Sequence, residues 1–304
     1  MRTAAWSVVA AGLAAPLVRR RLRLPAPVTI ATAYAAPVAL AVAVPRTRAR
    51  DVGVCLLQMW AYVASYKMPA DDLEAFEGRV HVDYPIAVDR VIGLGRTPTQ
   101  RLQAAFARPG ELREYEKVLV WTHWVWFAVP HGTVVWMLVR HPERFPRAAL
   151  LTYSVFNLGA LVYWAVPTAP PWYAEQLGHF GDGEELPVRR MMMEEGKRFW
   201  KDHWGPLYDA LGGNPYAAMP SLHFGTSLMA ARLLADAGPV EGAIGGAYAA
   251  TLGLALVYLG EHYVVDLLAG AALAEGVRAA GPRLAPAARA IGDAISALQR
   301  RAAS

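Results

Sequence analysis

Asn214-Pro215-Tyr216-Ala217-Ala218-Met219-Pro220-Ser221-Leu222-His223 and Gly260-Glu261-His262-Tyr263-Val264-Val265-Asp266 are the two stretches on which the reading of this chain turns. Each sets polar and titratable groups at the edge of an apolar run long enough to cross a bilayer. Ionisable side chains are costly beside lipid, and at membrane depth they mark functional sites by default. Two histidines and one carboxylate at matched depth point to proton and phosphoryl chemistry at a membrane face.

The composition around them agrees with a membrane setting. Of 304 residues, 55% are hydrophobic and only 18% charged, against about a quarter charged in an ordinary soluble domain. The charges cluster between apolar blocks. A net charge of +5 admits nucleic acid as a partner on its own, but the arginines sit at the ends of apolar runs. That is the positive-inside pattern of a membrane protein, not a basic binding stripe, so no nucleic-acid partner is expected. The single cysteine, Cys55, excludes an intrachain disulfide and a cysteine-based metal site.

Taken outward from the two stretches, basic loops and apolar runs alternate. Residues 52–68, 117–139, 148–166, 217–235, 240–260 and 262–280 read as spans, with Arg140, Arg144 and Arg147 and the C-terminal arginines on the cytoplasmic side. The fold expected is an all-α, polytopic transmembrane bundle. Its core is 51–280, with a polar interfacial region at 69–116 and an extracytoplasmic loop at 167–216. A basic cytoplasmic tail follows over 281–304, with an amphipathic helix at 284–301. Residues 1–50 are extra apolar segments. Positive charge follows the 4–18 run instead of preceding it, so a cleaved leader is not expected. Two spans, one span and a re-entrant hairpin all remain open for 1–44. The register places Pro167–Tyr173, His223 and His262 on one extracytoplasmic face, although they come from three different spans.

His262 and Asp266 are four apart, the spacing that puts two side chains on one helix face within hydrogen-bond reach. A carboxylate holding one imidazole nitrogen leaves the lone pair of the other free as a nucleophile. The bland alternative is a structural His–Asp pair inside the bundle. His223 follows Pro220-Ser221 at a helix start, where free N–H groups attract an anion and Ser221 adds a hydroxyl. An imidazolium there can protonate a leaving oxygen; the alternative is a capping serine beside an interfacial histidine. A metal site built from His223, His262 and Asp266 is a rival, but no HExxH or cysteine pair accompanies it. No GxSxG elbow surrounds Ser221. His123 and His131 read as interface histidines, and Met191-Met192-Met193 as an apolar patch.

Ala218–His223 and Gly260–Asp266 resemble the second and third signature motifs of the type 2 phosphatidic acid phosphatase superfamily. The PSLH and HYxxD forms, with Pro167-Thr168-Ala169-Pro170-Pro171-Trp172-Tyr173 upstream, resemble its inositol phosphorylceramide synthase-like branch. Asp89–Gln100 is similar to the interfacial stretch that precedes the core in bacterial members, so the resemblance covers about 89–275. It implies a six-helix core and a metal-free, cofactor-free mechanism: His262 attacks phosphorus, Asp266 orients it, and His223 protonates the departing alkoxide. The wider superfamily has a Ser-Arg pair where this chain has Ala255 and Leu256, and Lys and Arg where it has Thr168, Pro170, Pro171 and Trp172. A dianionic group needs cationic donors. Lys201 and Arg198 are the first candidates to supply them, then Lys197, His203, Arg90 and Arg96, with Ser221, Pro170 and Trp172 beside the headgroup.

The function expected is transfer of a phosphoryl or phospho-headgroup, such as inositol phosphate, between a membrane lipid and an alcohol. A lipid phosphatase with water as acceptor, a non-catalytic lipid-binding or transport protein, and a metal-dependent hydrolase are the alternatives. The setting expected is the plasma membrane, with the site facing outward.

Overall fold

A computed structural model describes residues 1–68, 78–180, 187–211 and 214–303. Among these the regular structure is helical: α1 (Arg2–Leu22), α2 (Ala26–Ala43), α3 (Arg48–Lys67), α4 (Asp83–Ile92), α5 (Pro98–Phe106), α6 (Glu114–Trp124), α7 (Ala128–Arg140), α8 (Phe145–Ala165), α9 (Pro171–Gln176), α10 (Met191–Trp200), α11 (Trp204–Leu211), α12 (Leu222–Ala237), α13 (Pro239–Tyr258) and α14 (Val264–Ala303). The chain is thus an all-α polytopic bundle. Ala26–Ala43, Phe145–Ala165 and Pro239–Tyr258 are long and apolar enough to cross a membrane.

The apolar runs read as core spans are helical, as α3, α6–α7, α8, α12, α13 and α14. Cys55, Met59 and Tyr62 of α3, Met137 of α7, Phe156 and Tyr163 of α8, Met229 of α12 and Val277 of α14 share one buried cluster. Residues 1–44 form a helical hairpin: Arg23 turns left-handed at φ 51° and donates its N–H to Arg19 and Arg20 carbonyls, ending α1 before Pro25.

Three details depart from the sequence reading. The 117–139 run is broken by a 3-10 turn at Val125–Phe127 between α6 and α7. The 174–215 stretch is largely folded, because α10 and α11 bury Met191, Met192 and Trp204 against Tyr258 and Leu259; residues 181–186 and 212–213 lie outside the described part. The tail is continuous with α14, its alanine-rich sequence carrying the helix through Pro282 and Pro286. Gln299 Nε2 then donates to the Val44 carbonyl at 2.9 Å, laying the C-terminal half against the N-terminal hairpin. The interfacial region, with 69–77 outside the described part, holds α4 and α5, whose outer surface exposes Val91 and Leu94.

The contact that positions the two signature stretches is the crossing of α12 and α14. A Cβ on Gly225 would sit 2.8 Å from the Gly270 carbonyl, and one on Gly270 would collide with the Ser221 carbonyl. Only hydrogen atoms fit between these backbones, the small-residue solution to close helix packing. Gly270→Ala is therefore expected to cost about 1–3 kcal/mol of stability through overpacking. Gly276→Ala, six residues on with nothing within 4 Å of its Cβ position, is expected to stay within about 0.5 kcal/mol of the parent. Thermal melting in detergent distinguishes the two.

Candidate active site

Three short extended segments draw the signature stretches to one end of the bundle. Thr168 lies between His81 and Ala217 and pairs in parallel with both. Its N–H donates to the Tyr216 carbonyl at 2.8 Å, and its carbonyl accepts the Ala218 N–H at 3.1 Å. Tyr163 anchors the following turn by donating to the Pro220 carbonyl at 2.9 Å. Ser221 then starts α12. Its Oγ accepts the Phe224 N–H at 3.3 Å, and its own N–H donates to the Asp266 carbonyl at 2.9 Å. On the other side, α13 ends at Tyr258, and Gly260 turns the chain at φ 80° with its carbonyl receiving the Trp172 N–H at 3.1 Å.

Across the α12–α14 crossing, His223 Nδ1 and His262 Nε2 lie 3.1 Å apart. His262 Nδ1 is 3.2 Å from Asp266 Oδ2, which also accepts the Tyr263 N–H at 2.9 Å. Asp266 is fully buried and His262 is 3% exposed. A carboxylate only accepts, so the proton of His262 sits on Nδ1 and the lone pair on Nε2. His223 Nδ1 must then carry the hydrogen that bridges the two rings. His262 is not itself helical: it lies in the short link before α14 and meets Asp266 in the first helical turn. The Trp126 ring packs 4.1 Å from His223 between centroids, and His123 lies 4.9 Å away on the same helix–turn–helix segment. His131 stacks on Phe127 one turn further along.

The paired imidazoles face a cavity of about 790 Å³ walled by aromatic rings. Pro170 and Trp172 line it, as do Lys67, Arg190 and Glu261, its charged residues. Ser221, Lys201, Arg198 and Arg90 are not in its wall. Ser221 is fully buried as a helix cap, Lys201 is exposed, Arg198 pairs with Glu195 at 3.0 Å, and Arg90 is on α4. The cation that the sequence reading did not single out is Arg190. Its guanidinium sits 3.5 Å over the Trp172 ring, donates to Glu261 at 3.0 Å and donates to the Tyr208 hydroxyl at 2.9 Å. Burial works against its charge, but Glu261 and Tyr208 outweigh burial and hold it more firmly protonated than usual. The available signal was Glu261 beside His262, a carboxylate that needs a cation once buried. Among the described residues, no three His, Cys, Asp or Glu side chains converge to hold a metal ion.

A family model described as the PAP2 superfamily matches residues 88–280. Neither a curated protein nor a solved structure matches the chain. The matched segment runs from α4 through α12 and α13 into α14 and includes both signature stretches. Over well more than half its length, then, this chain is a PAP2 domain, and it belongs to the PAP2 superfamily.

Proposed function

We propose that the protein is an integral-membrane phosphotransferase that moves a phospho-headgroup from a phosphodiester lipid to an alcohol through a phosphohistidine at His262. The observation that carries this reading is the Asp266–His262–His223 relay opening into an aromatic-walled cavity. With its Nδ1 proton held by Asp266, His262 attacks phosphorus through the Nε2 lone pair. The P–N bond forms as the P–O bond to the lipid alcohol breaks, and His223 gives its proton to the departing oxygen. The acceptor hydroxyl then attacks phosphorus, its proton passes to His223, and His262 leaves as the P–N bond breaks. The scheme routes no step through a metal.

A phosphorus atom between attacking nitrogen and leaving oxygen needs the two rings further apart than 3.1 Å. Substrate entry therefore parts them, exchanging the His–His hydrogen bond for one from His223 to the leaving group. Charge supports a diester donor. The cavity wall carries Arg190 and Lys67 against Glu261, and Glu261 already engages Arg190. A phosphomonoester brings roughly −1.5 to −2 charges at neutral pH, whereas a diester brings one. Aromatic walls hold little water and offer faces to a polyol such as inositol, which favours an alcohol over water as acceptor. The arginines of the α7–α8 connection and of the C-terminal half of α14 support a site on the extracytoplasmic side of the plasma membrane, by the positive-inside rule.

Single-turnover labelling in EDTA with phosphate-labelled mono- and diester lipids tests this. Wild type is expected to take up acid-labile, base-stable label, and His262→Ala none. His223→Ala is expected to slow transfer by about 10²–10⁴-fold, the range for a lost general acid–base. Turnover that survives His262→Ala overturns the mechanism, and release of inorganic phosphate irrespective of added alcohol makes the enzyme a phosphatase. Glu261→Gln removes one negative charge beside the phosphate site. It is expected to shift kcat/KM toward monoester over diester by at least about tenfold, since one charge–charge interaction at an effective dielectric of about 20 is worth about 4 kcal/mol at about 4 Å and falls inversely with distance.

A further inference from the structure

The helices α4 and α5, which hold the Asp89–Gln100 stretch, are not used by the transfer chemistry, yet they carry buried polar side chains bonded to the backbone on either side of His262. Asp89 on α4 is fully buried. Its Oδ2 accepts the Val264 N–H at 2.8 Å and its Oδ1 the Val265 N–H at 3.0 Å. These are first-turn donors of α14, which no intrahelical carbonyl can satisfy. A carboxylate facing a helix start also meets the positive end of its dipole. The cap comes from a distant part of the chain, and the helix it caps bears Asp266 one residue further on.

The other end of the nucleophile segment is held in the same way. Gln103 on α5 is 6% exposed. Its Nε2 donates to the Tyr258 carbonyl at 2.8 Å, at the C-terminus of α13, and to the Arg189 carbonyl at 2.9 Å, while its Oε1 accepts the Arg189 N–H at 2.8 Å. The amide thus fixes both the last residue of α13 and the backbone beside Arg190. Between the two anchors lies only Leu259–Tyr263, the segment with Glu261 and His262. The hairpin is stiff enough to serve. Thr97 and Gln100 cap α5 reciprocally, and Arg101 donates to the Gly93 and Leu94 carbonyls that close the turn. Ile86 packs with Tyr263, Ala174 and Val188 in a buried cluster, and the Tyr84 hydroxyl bonds Thr168 at 3.1 Å.

We propose that Asp89 and Gln103 are positioning residues of the transfer site, pinning the two ends of the His262 segment so that its Nε2 stays aimed while the phosphoryl group moves. This rests on the function proposed above. The cost of the arrangement agrees with it. Burial pushes the Asp89 carboxyl up to about 6, against the pull of the two backbone donors, so the ionised acid is an expensive cap where neutral serine or asparagine serves most helices.

The test uses the full chain in detergent, with Asp89→Asn, Asp89→Ala and Gln103→Ala compared with wild type. Asp89→Asn keeps the shape but turns an N–H toward a backbone N–H. The expected result is a kcat lower by about 10²-fold, the penalty of small misplacement at a reacting centre, with KM for a diester phospholipid little changed. Val264 and Val265 amides should exchange about tenfold faster while the melting temperature holds. Asp89→Glu is expected to recover part of the kcat lost in Asp89→Ala. If Asp89→Ala does not fold, Asp89→Asn and Gln103→Ala decide. Faster exchange with wild-type kcat in both overturns the proposal and leaves the hairpin a structural brace. Carbethoxylation of His262 by diethyl pyrocarbonate, read by mass spectrometry, is independent of any lipid substrate. Should wild type turn over none of the phospholipids, the function fails as stated. The ratio of His262 to His223 labelling then decides: a several-fold change in Asp89→Asn upholds the positioning role, and an unchanged ratio overturns it.

Discussion

The approach of two backbones at Gly225 and Gly270 governs everything at the site. With no Cβ between them, α12 and α14 come close enough for the Ser221 N–H to reach the Asp266 carbonyl. That single bond ties the start of one helix to the first turn of the other and leaves His223 facing His262. A side chain at either glycine would press on the facing backbone and strain the 3.1 Å approach of the imidazoles. The polar groups could not then satisfy one another, and each unsatisfied buried donor or acceptor costs about 1–3 kcal/mol. Small residues in the packing and titratable residues in the site are therefore one design.

The departure from the wider superfamily at Ala255 and Leu256 has a physical counterpart. Both residues are fully buried. Ala255 packs in the cluster that contains Met191 and Met192, so the small side chain on α13 makes room for the start of α10. The N-terminus of α10 is where Arg190 enters the cavity wall. A cation on α13 at this point would have to be buried against methionine, whereas Arg190 reaches the site from the loop and lies on Trp172. An arginine stacked on an aromatic face and paired with a carboxylate is pre-organised and weakly hydrated, the form in which a partly buried cation costs least.

Much of this was legible in the sequence, for reasons that can be stated residue by residue. Apolar runs bounded by arginines gave the core helices because a helix crossing lipid must be long and apolar. The His223 and His262 stretches were visible because titratable groups at the ends of such runs have no bland compositional reason to be there. His262 and Asp266 meet, as helical spacing suggested, but through a non-helical residue approaching a helix start. What stayed hidden was non-local. Arg190 looks like any arginine in a charged loop until α10 folds and Trp172 comes beneath it. Asp89 stood in a stretch already singled out and Gln103 just beyond it, yet nothing local says that their partners are backbone groups at 258 and 264–265. The span boundaries missed the break at Val125–Phe127, since valine, tryptophan and phenylalanine are as apolar as the helix they interrupt.

The two histidines are held very differently, and the difference bears on which of them moves. His262 has Asp266 on its Nδ1, a helix start directly after it, and side chains of a separate hairpin on the backbone at both ends of its segment. His223 meets the rings of Trp126 and His123 besides that of His262, and among the described residues no carboxylate bonds its second nitrogen. If phosphorus enters between them as proposed, the hydrogen bond of about one kcal/mol that joins the rings is the weakest link. His223 is the ring free to swing, in contact with aromatic faces that permit sliding. In the proposed reaction, a nucleophile kept still and an acid–base group allowed to travel is the division of labour that two successive transfers need, since His223 would first meet the leaving oxygen and then the incoming one.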